Sequence, residues 1–362
     1  MRAKYVLLTV LLIVIAGFSI WCSQYTASTD FASFYRAAKI ALNSQQPISD
    51  IYRIDDQDIT KYSIPANEHF VEYRYSVLTT YLISPLALLN YDAANAAMIF
   101  INIVCYALAV ILILKNRGAQ GRWFLYPLAI AFLWMPFIQN IRWGQINAIL
   151  LLLITLAVLQ ADKNRYFVAG VLLALATLFK PFVLAVALVL FLKDWRVAIG
   201  YIGVIFAALL LPGTSEWLHS FFWPPHPYFC YSAAYRCFSS WGYAYFWIWA
   251  VAIGLITAYI TLLNRRRDYL AVTALALPAV LATTPVLEVN HPTILIFVFA
   301  SLINQKLSKL SITLVIISWF LTYAGSSTLE GGAMLYAGIF TLWIAMLMVL
   351  TGNQKEADRD VS

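Results

Sequence analysis

The chain has 362 residues, of which 62% are hydrophobic and only 11% are charged, whereas soluble domains carry about 25% charged residues. This composition excludes an ordinary soluble protein and indicates an all-α polytopic membrane protein. The net charge of +7 comes from Lys and Arg residues dispersed over short loops. We expect them to mark the cytoplasmic side of a membrane rather than a nucleic-acid-binding face.

Twelve apolar runs follow one another along the chain, many of them close to the roughly 20 residues of a spanning helix. They lie at about 5–23, 93–114, 123–138, 145–160, 166–179, 181–192, 197–212, 242–263, 269–286, 292–303, 310–324 and 333–350. The first run follows a basic N-terminus and lacks a small-residue cleavage site, so we interpret it as a retained anchor helix. We therefore predict one transmembrane domain over residues 1–352 and a short cytoplasmic tail over 353–362.

A further apolar run, from Val77 to Leu89, decides the topology. If it does not span, most of the 24 Lys and Arg residues lie on the cytoplasmic side; if it spans, the basic loops from Lys115 onward lie outside. The positive-inside rule favours the first arrangement. The segments 24–92, 139–144, 213–241, 287–291 and 325–332 then face outward, and the unusual polar residues collect there.

Asp30 begins a short amphipathic pattern just after the first apolar run, where Ser28 or Thr29 can serve as the N-cap of a helix. Phe31, Phe34, Tyr35 and Ala38 fall on one side, and Arg36 and Lys39 on the other, as in a helix that lies in the membrane surface. Asp30 is either a cap of this helix or a candidate catalytic base.

The segment Asn140–Asn147 combines a planar Arg142 donor fork with the Gln145 and Asn147 amides around Gly144. It suits either a pocket for anions and hydroxyl groups or a plain hairpin turn whose arginine reaches lipid headgroups.

Lys180 interrupts the apolar stretch from Tyr166 to Leu192 and precedes Pro181. A lysine at membrane depth costs about 2.5–3.5 kcal/mol, unless its side chain reaches the outer interface. With a helix break beside it, we predict a phosphate-binding role for Lys180.

Other polar residues of the outer side are further candidates for the same site. Contact with substrate or phosphate is predicted for Glu72, Arg74 and Tyr75, which precede the run at Val77, and for Glu288, Asn290 and His291, which lie between two prolines.

Cys230 and Cys237 either pair in an outer loop or stay free thiols. Neither the acidic residues of the first outer loop nor His219 and His226 have the spacing of a metal site, so no metal is predicted.

In their order, these segments resemble glycosyltransferase family 87. The resemblance rests on Thr29-Asp30-Phe31 with Tyr35 and Ala38, on Tyr75 to Pro85, on Trp143 to Asn147, on Gly170 with Lys180 and Pro181, and on Glu288 to His291. Val77 departs from it, since relatives commonly have proline there. The resemblance implies a GT-C-type fold of about 12 transmembrane helices, with interfacial helices on the outer face. It also implies a bacterial plasma (inner) membrane location with the active site facing the periplasm or exterior.

This resemblance also implies a reaction. A hexose or pentose would pass from a polyprenyl-phosphate sugar to a hydroxyl of a lipid or glycan acceptor, without a cofactor or nucleic-acid partner. Of the two classes of sugar we predict a hexosyltransferase, with mannosyl transfer as one option. Asp30 would be the base, and Arg142, Lys180 and His291 would bind the donor phosphate. The substrate-binding candidates are Tyr35, Glu72, Arg74, Tyr75, Gln145, Asn147, Glu288 and Asn290.

One carboxylate suffices for such chemistry, because the departing phosphate is already a stable anion and needs no general acid. Glycoside hydrolysis usually requires two carboxylates. We therefore expect an inverting single displacement. The alternative is a transporter or flippase of lipid-linked sugars, which needs basic residues in a cavity but no base. No internal repeat of the kind common in transporters is found in the sequence.

Overall fold

A computed structural model describes residue 17 and residues 29–43, 45–53, 60–65, 73–222, 243–284, 287–327 and 332–359. Regular structure within these ranges is helical, without a strand. The α-helices are α1 (Thr29–Leu42), α2 (Val77–Ile83), α3 (Tyr91–Asn116), α4 (Arg122–Phe132), α5 (Met135–Arg142), α6 (Asn147–Asp162), α7 (Tyr166–Phe179), α8 (Val183–Lys193), α9 (Arg196–Leu209), α10 (Thr214–Phe222), α11 (Tyr243–Leu263), α12 (Tyr269–Thr283), α13 (Ile296–Ser301), α14 (Lys309–Ser327) and α15 (Gly332–Arg359). In the same ranges, 3₁₀-helices occupy Ile48–Tyr52, Ser84–Leu88 and His291–Leu295.

Four of the described helices are long and apolar enough to cross a membrane: α3, α11, α14 and α15. The helices α4 and α5 meet at a 46° bend and form a fifth span if the pair counts as one. These helices agree with the prediction of a helical membrane protein.

The prediction of about twelve spans is not confirmed, although every predicted run from residue 93 onward contains a helix. The helices α6, α7 and α12 have 16, 14 and 15 residues. At about 1.5 Å per residue they are shorter than the hydrocarbon core of about 30 Å. The run at Val77, predicted not to span, forms only α2 and the 3₁₀-helix that ends at Leu88. The first run, 5–23, lies outside the described residues.

The chain divides into two compact units. Unit 1 comprises Met1–Ala107, Asn140–Ile149 and Ile205–Pro224, and unit 2 comprises Leu108–Gln139, Leu150–Val204 and Pro225–Ser362. The single domain over residues 1–352 stays a prediction.

Helix α1 is the buried centre of unit 1. Residues 31–38 are each at most 5% exposed, and the helix packs against α2 and the 3₁₀-helices Ile48–Tyr52 and Ser84–Leu88. Arg36, predicted to lie on a polar face, is buried, and its guanidinium donates to the carbonyl oxygens of Asp50 at 3.2 Å and Ile51 at 3.3 Å. The prediction that Arg36 lies on a polar face at the membrane surface is therefore wrong, because the 3₁₀-helix Ile48–Tyr52 packs against α1 and supplies acceptors for the arginine.

Helix α12 is the buried centre of unit 2. Its residues from Tyr269 to Ala282 are buried except the half-buried Ala271, and it packs against α8, α11, α13 and α15. A helix that is apolar on all sides has to be enclosed by protein or lipid, and here other helices enclose it. Asp268 caps its N-terminus, since its side chain accepts a hydrogen bond from the Ala271 amide at 2.6 Å.

Within unit 2, α7 and α9 cross at two glycines. A Cβ on Gly170 would overlap the Val197 carbonyl oxygen, and a Cβ on Gly200 would overlap the Phe167 carbonyl oxygen. The two backbones are therefore in direct contact, as in other membrane helix pairs that meet through small residues.

Gly170→Ala is expected to destabilise this crossing by about 1–3 kcal/mol, the usual cost of overpacking a close contact. Gly203→Ala is the matched control in α9, because a Cβ there meets nothing within 4 Å. It should leave stability unchanged or raise it, since alanine favours a helix. Thermal unfolding of the purified proteins in detergent measures both effects. Equal losses in the two variants would contradict the close crossing.

Candidate active site

In unit 1, the carboxylate of Asp30 accepts a hydrogen bond from a residue far along the chain, Gln145. Gln145 Nε2 donates to Asp30 Oδ2 at 2.8 Å, and the Tyr75 hydroxyl donates to Gln145 Oε1 at 3.2 Å. Because the amide oxygen faces the tyrosine, the amide nitrogen faces the carboxylate.

The turn before α6 brings Gln145 to Asp30. The Gly144 amide donates to the Ile141 carbonyl at 3.1 Å, and the Gln145 amide donates to the Asn140 carbonyl at 2.9 Å. Gly144 has a φ of +64°, and a Cβ there would lie 2.5 Å from Phe31 Cβ. Only glycine therefore allows both the left-handed turn and the close approach of this turn to the start of α1.

Tyr75 is fixed by backbone and ring contacts on its other side. The Tyr52 hydroxyl donates to the Tyr75 carbonyl at 3.0 Å, and the Phe34 ring lies 4.5 Å from the Tyr75 ring. Burial, followed by the proximity of Tyr73 and Glu216, raises the pKa of Tyr52 above its ordinary value. Tyr52 is thus a neutral phenol near pH 7, which is the form that donates this hydrogen bond.

The other predicted residues of unit 1 lie in different environments. Tyr35 is buried, and its hydroxyl donates to the Leu89 carbonyl at 2.8 Å. Asn147 is also buried, whereas Arg74 is half-buried and Arg142 is exposed. The Arg74 carbonyl accepts a hydrogen bond from Trp217 Nε1 at 3.2 Å. The substrate and phosphate roles of these residues stay predictions.

Unit 2 contains a second cluster of predicted site residues. Lys180 follows the last residue of α7, is 6% exposed and has an extended backbone that breaks the helix. The ring of Phe182, two residues later, lies 5.5 Å from the ring of His291. The helix break at Lys180 and the 3₁₀-helix at His291 therefore lie side by side.

Hydrogen bonds within the segment 288–293 determine the tautomer of His291. The Glu288 amide donates to His291 Nδ1 at 3.3 Å, so the ring proton of a neutral imidazole is on Nε2. That nitrogen lies 3.4 Å from Glu288 Oε2, which also accepts from Asn290 Nδ2 at 3.3 Å. The cluster thus combines a buried lysine with a histidine oriented by a carboxylate.

Some predicted residues lie outside the described residues, namely Glu72, Cys230 and Cys237. No group of three or more His, Cys, Asp or Glu side chains suited to a metal ion occurs in the described part of the chain. Sequence reasoning overlooked one polar residue, Asn102, which donates a hydrogen bond to Met98 within α3 and accepts one from Asn140 in α5. The sequence does single out Asn102, because an asparagine within an apolar run is unusual.

The sequence model of glycosyltransferase family 87 matches residues 73–283, which is more than half of the chain. The chain belongs to glycosyltransferase family 87. The match to the family 87 model includes Tyr75, Gln145 and Lys180, whereas Asp30 and His291 lie outside it.

A curated relative supports the same assignment over a shorter stretch. An alpha-(1->3)-arabinofuranosyltransferase from Corynebacterium glutamicum is 31% identical to this family 87 chain over 161 residues. These residues are 41% of this chain and 38% of that protein, so the matched region covers well under half of the relative.

Proposed function

We propose that this family 87 glycosyltransferase moves a sugar from a polyprenyl-phosphate donor to a hydroxyl group of a lipid or glycan acceptor. The reaction would take place on the outer face of a bacterial plasma (inner) membrane, in a GT-C-type fold of about twelve transmembrane helices. The observation that carries the proposal is the Asp30 carboxylate, which accepts a hydrogen bond from Gln145 in a chain of this family.

Asp30 is the proposed base. The acceptor oxygen attacks the anomeric carbon, a new carbon–oxygen bond forms, and the bond from that carbon to the phosphate oxygen breaks. The hydroxyl proton passes to Asp30, and polyprenyl phosphate leaves with the bonding electron pair. A positioned carboxylate can accept the proton in this way, and the phosphate needs none. This single displacement inverts the anomeric configuration, so a product with retained configuration would contradict it.

Lys180, His291 and Arg142 are the proposed phosphate ligands. A buried ammonium gains most from an anionic ligand, and Lys180 is 6% exposed. His291 would share its Nε2–H between Glu288, which lies 3.4 Å away, and the phosphate, and Arg142 would contribute a guanidinium. The remaining proposed substrate contacts are Tyr35, Glu72, Arg74, Tyr75, Gln145, Asn147, Glu288 and Asn290.

Gly144→Ala is expected to reduce sugar transfer about 10²-fold, the scale of loss when a catalytic group moves by about 1 Å. The added methyl group would push against Phe31, which is adjacent to Asp30 in α1. Gly118→Ala is the matched control, because Gly118 also has a positive φ of +70° but no atom within 4 Å of a Cβ. Transfer rates of both variants in membranes test this, and equal losses would assign the effect to backbone strain alone.

A donor panel tests the function and the choice of sugar. Membranes with the overproduced chain receive radiolabelled polyprenyl-phosphate hexoses or polyprenyl-phosphate arabinofuranose, with and without EDTA. The sequence analysis predicted a hexosyltransferase, whereas the curated relative is named for a pentose. We expect transfer from one class of donor, unaffected by EDTA. Failure of every polyprenyl-phosphate donor would contradict the proposal.

A further inference from the structure

We propose that Asn102 and Asn140 are positioning residues for catalysis, which hold the turn that presents Gln145 to Asp30. This inference rests on the proposed role of Asp30 as the base. It concerns two buried amides in unit 1 that touch no reacting atom, and it assigns them an effect on the reaction through Gln145.

The first of these two amides, that of Asn102, lies inside a helix that is long and apolar enough to span a membrane. Asn102 lies in α3 and is 1% exposed. Its Nδ2 donates to the Met98 carbonyl at 3.0 Å, one helical turn earlier, and its Oδ1 accepts from Asn140 Nδ2 at 3.1 Å. A side-chain amide in such a place is costly to bury unless its polar atoms are bonded.

Asn140 provides the second link and closes the turn. Its side-chain Oδ1 accepts from the Asn147 amide at 3.0 Å, and its carbonyl accepts from the Gln145 amide at 2.9 Å. Asn140 is fully buried. The backbone on both sides of Gln145 is therefore tied to one residue, which is tied in turn to α3.

The hydrogen bonds of this network have a fixed direction. Because the Asn102 nitrogen faces the Met98 carbonyl, the Asn102 oxygen faces Asn140. The Asn140 nitrogen is then used for Asn102, which leaves its oxygen for the Asn147 amide. Each amide thus has one favourable orientation, and removal of Asn102 frees the Asn140 side chain to rotate away from the turn.

A displacement of the turn would affect Asp30 through Gln145. The hydrogen bond of 2.8 Å from Gln145 Nε2 to Asp30 Oδ2 depends on the position of the Gln145 backbone. Misplacement of a catalytic group by about 1 Å can cost about 10²-fold in rate. Loss of the Asn102 link should therefore lower kcat while the donor KM stays the same.

Asn102→Leu tests the link, and Asn264→Leu is its matched control. Asn264 is also buried, and its Nδ2 also donates to a carbonyl one turn earlier, that of Ile260, at 2.9 Å. Its Oδ1 has no hydrogen-bond partner among the described residues. Both substitutions remove a hydrogen bond from a side-chain amide to a carbonyl one turn earlier. Only Asn102→Leu also removes the oxygen that accepts a hydrogen bond from Asn140.

The kinetic measurement uses the full-length protein in proteoliposomes with a polyprenyl-phosphate sugar donor. Asn102→Leu should lower kcat about tenfold or more, with an unchanged donor KM, and Asn264→Leu should behave as wild type. In a Gln145→Leu background, Asn102→Leu should cause no further loss, because both act through one side chain. An equal loss in Asn264→Leu, or an undiminished loss in the double variant, would overturn the inference.

A second readout does not depend on transfer. Carbodiimide labelling of Asp30, followed by mass spectrometry of the purified protein, should be several-fold faster in Asn102→Leu than in wild type or Asn264→Leu. A carboxylate oxygen released from Gln145 is more accessible to the reagent. Identical labelling in all three proteins would overturn the positioning role. Faster labelling together with no transfer by the wild type would instead refute the proposed function and leave the network standing.

Discussion

Asp30→Asn is expected to lower kcat for sugar transfer by about 10²–10⁴-fold, the usual contribution of a general base. Asparagine has nearly the size of aspartate and can still accept the hydrogen bond from Gln145, but it cannot take the acceptor proton. The donor KM and the thermal stability should therefore stay close to those of the wild type. Steady-state kinetics with the preferred polyprenyl-phosphate sugar, together with thermal unfolding, measure all three quantities.

The matched control for Asp30→Asn is Asp92→Asn. Asp92 is exposed and, like Asp30, lies in the first turn of a helix. Any effect of removing a negative charge from a helix start should appear in both variants. Asparagine caps a helix about as well as aspartate does. A wild-type kcat in Asp30→Asn would thus reduce Asp30 to a capping residue.

Lys180→Met is expected to raise the donor KM about 10- to 100-fold, which corresponds to the loss of one charge-assisted hydrogen bond of about 1.5–3 kcal/mol. Methionine fills a similar volume but offers no donor to a phosphate. Thermal unfolding of the purified variant is measured beside the donor KM, so that a loss of stability is told apart from a loss of donor binding. Initial rates over a range of donor concentrations give the KM.

Lys163→Met is the control for Lys180→Met. Lys163 is exposed at the end of α6, so its substitution removes the same charge without removing a buried donor. Its donor KM should equal that of the wild type. A lower thermal stability of Lys180→Met with an unchanged donor KM would assign Lys180 a structural role and refute phosphate binding.

Local pattern predicted the positions of the helices but not their surroundings. Hydropathy located every described α-helix from α3 onward except α10, because lipid and protein interiors both select apolar side chains. It could not tell a spanning helix from a shorter helix enclosed by protein, such as α12. Likewise, the alternation of polar and apolar residues in α1 suggested an exposed face, yet Arg36 is buried because carbonyls of another segment satisfy it.

The sequence indicates which residues belong to the candidate site but not which of them contact each other. Asp30 and Gln145 each stood out because polar residues flank apolar runs there. Their hydrogen bond joins positions 115 residues apart, and nothing local encodes such a pairing. Asn102 was missed because it is uncharged and lies inside an apolar run, and because its proposed role depends on a partner in another segment, Asn140. The approach of Phe182 to His291 likewise depends on tertiary packing.

The activity proposed for this chain is transfer of a polyprenyl-phosphate-linked sugar to an acceptor. The most direct measurement places the purified protein in liposomes with an acceptor and a radiolabelled donor, and quantifies labelled product and released polyprenyl phosphate together. The proposed transfer predicts that both form in equal amounts with the wild type and that both fall by at least about 10²-fold with Asp30→Asn. Movement of intact donor across the bilayer, without product and equally in both proteins, would contradict it and indicate a transporter.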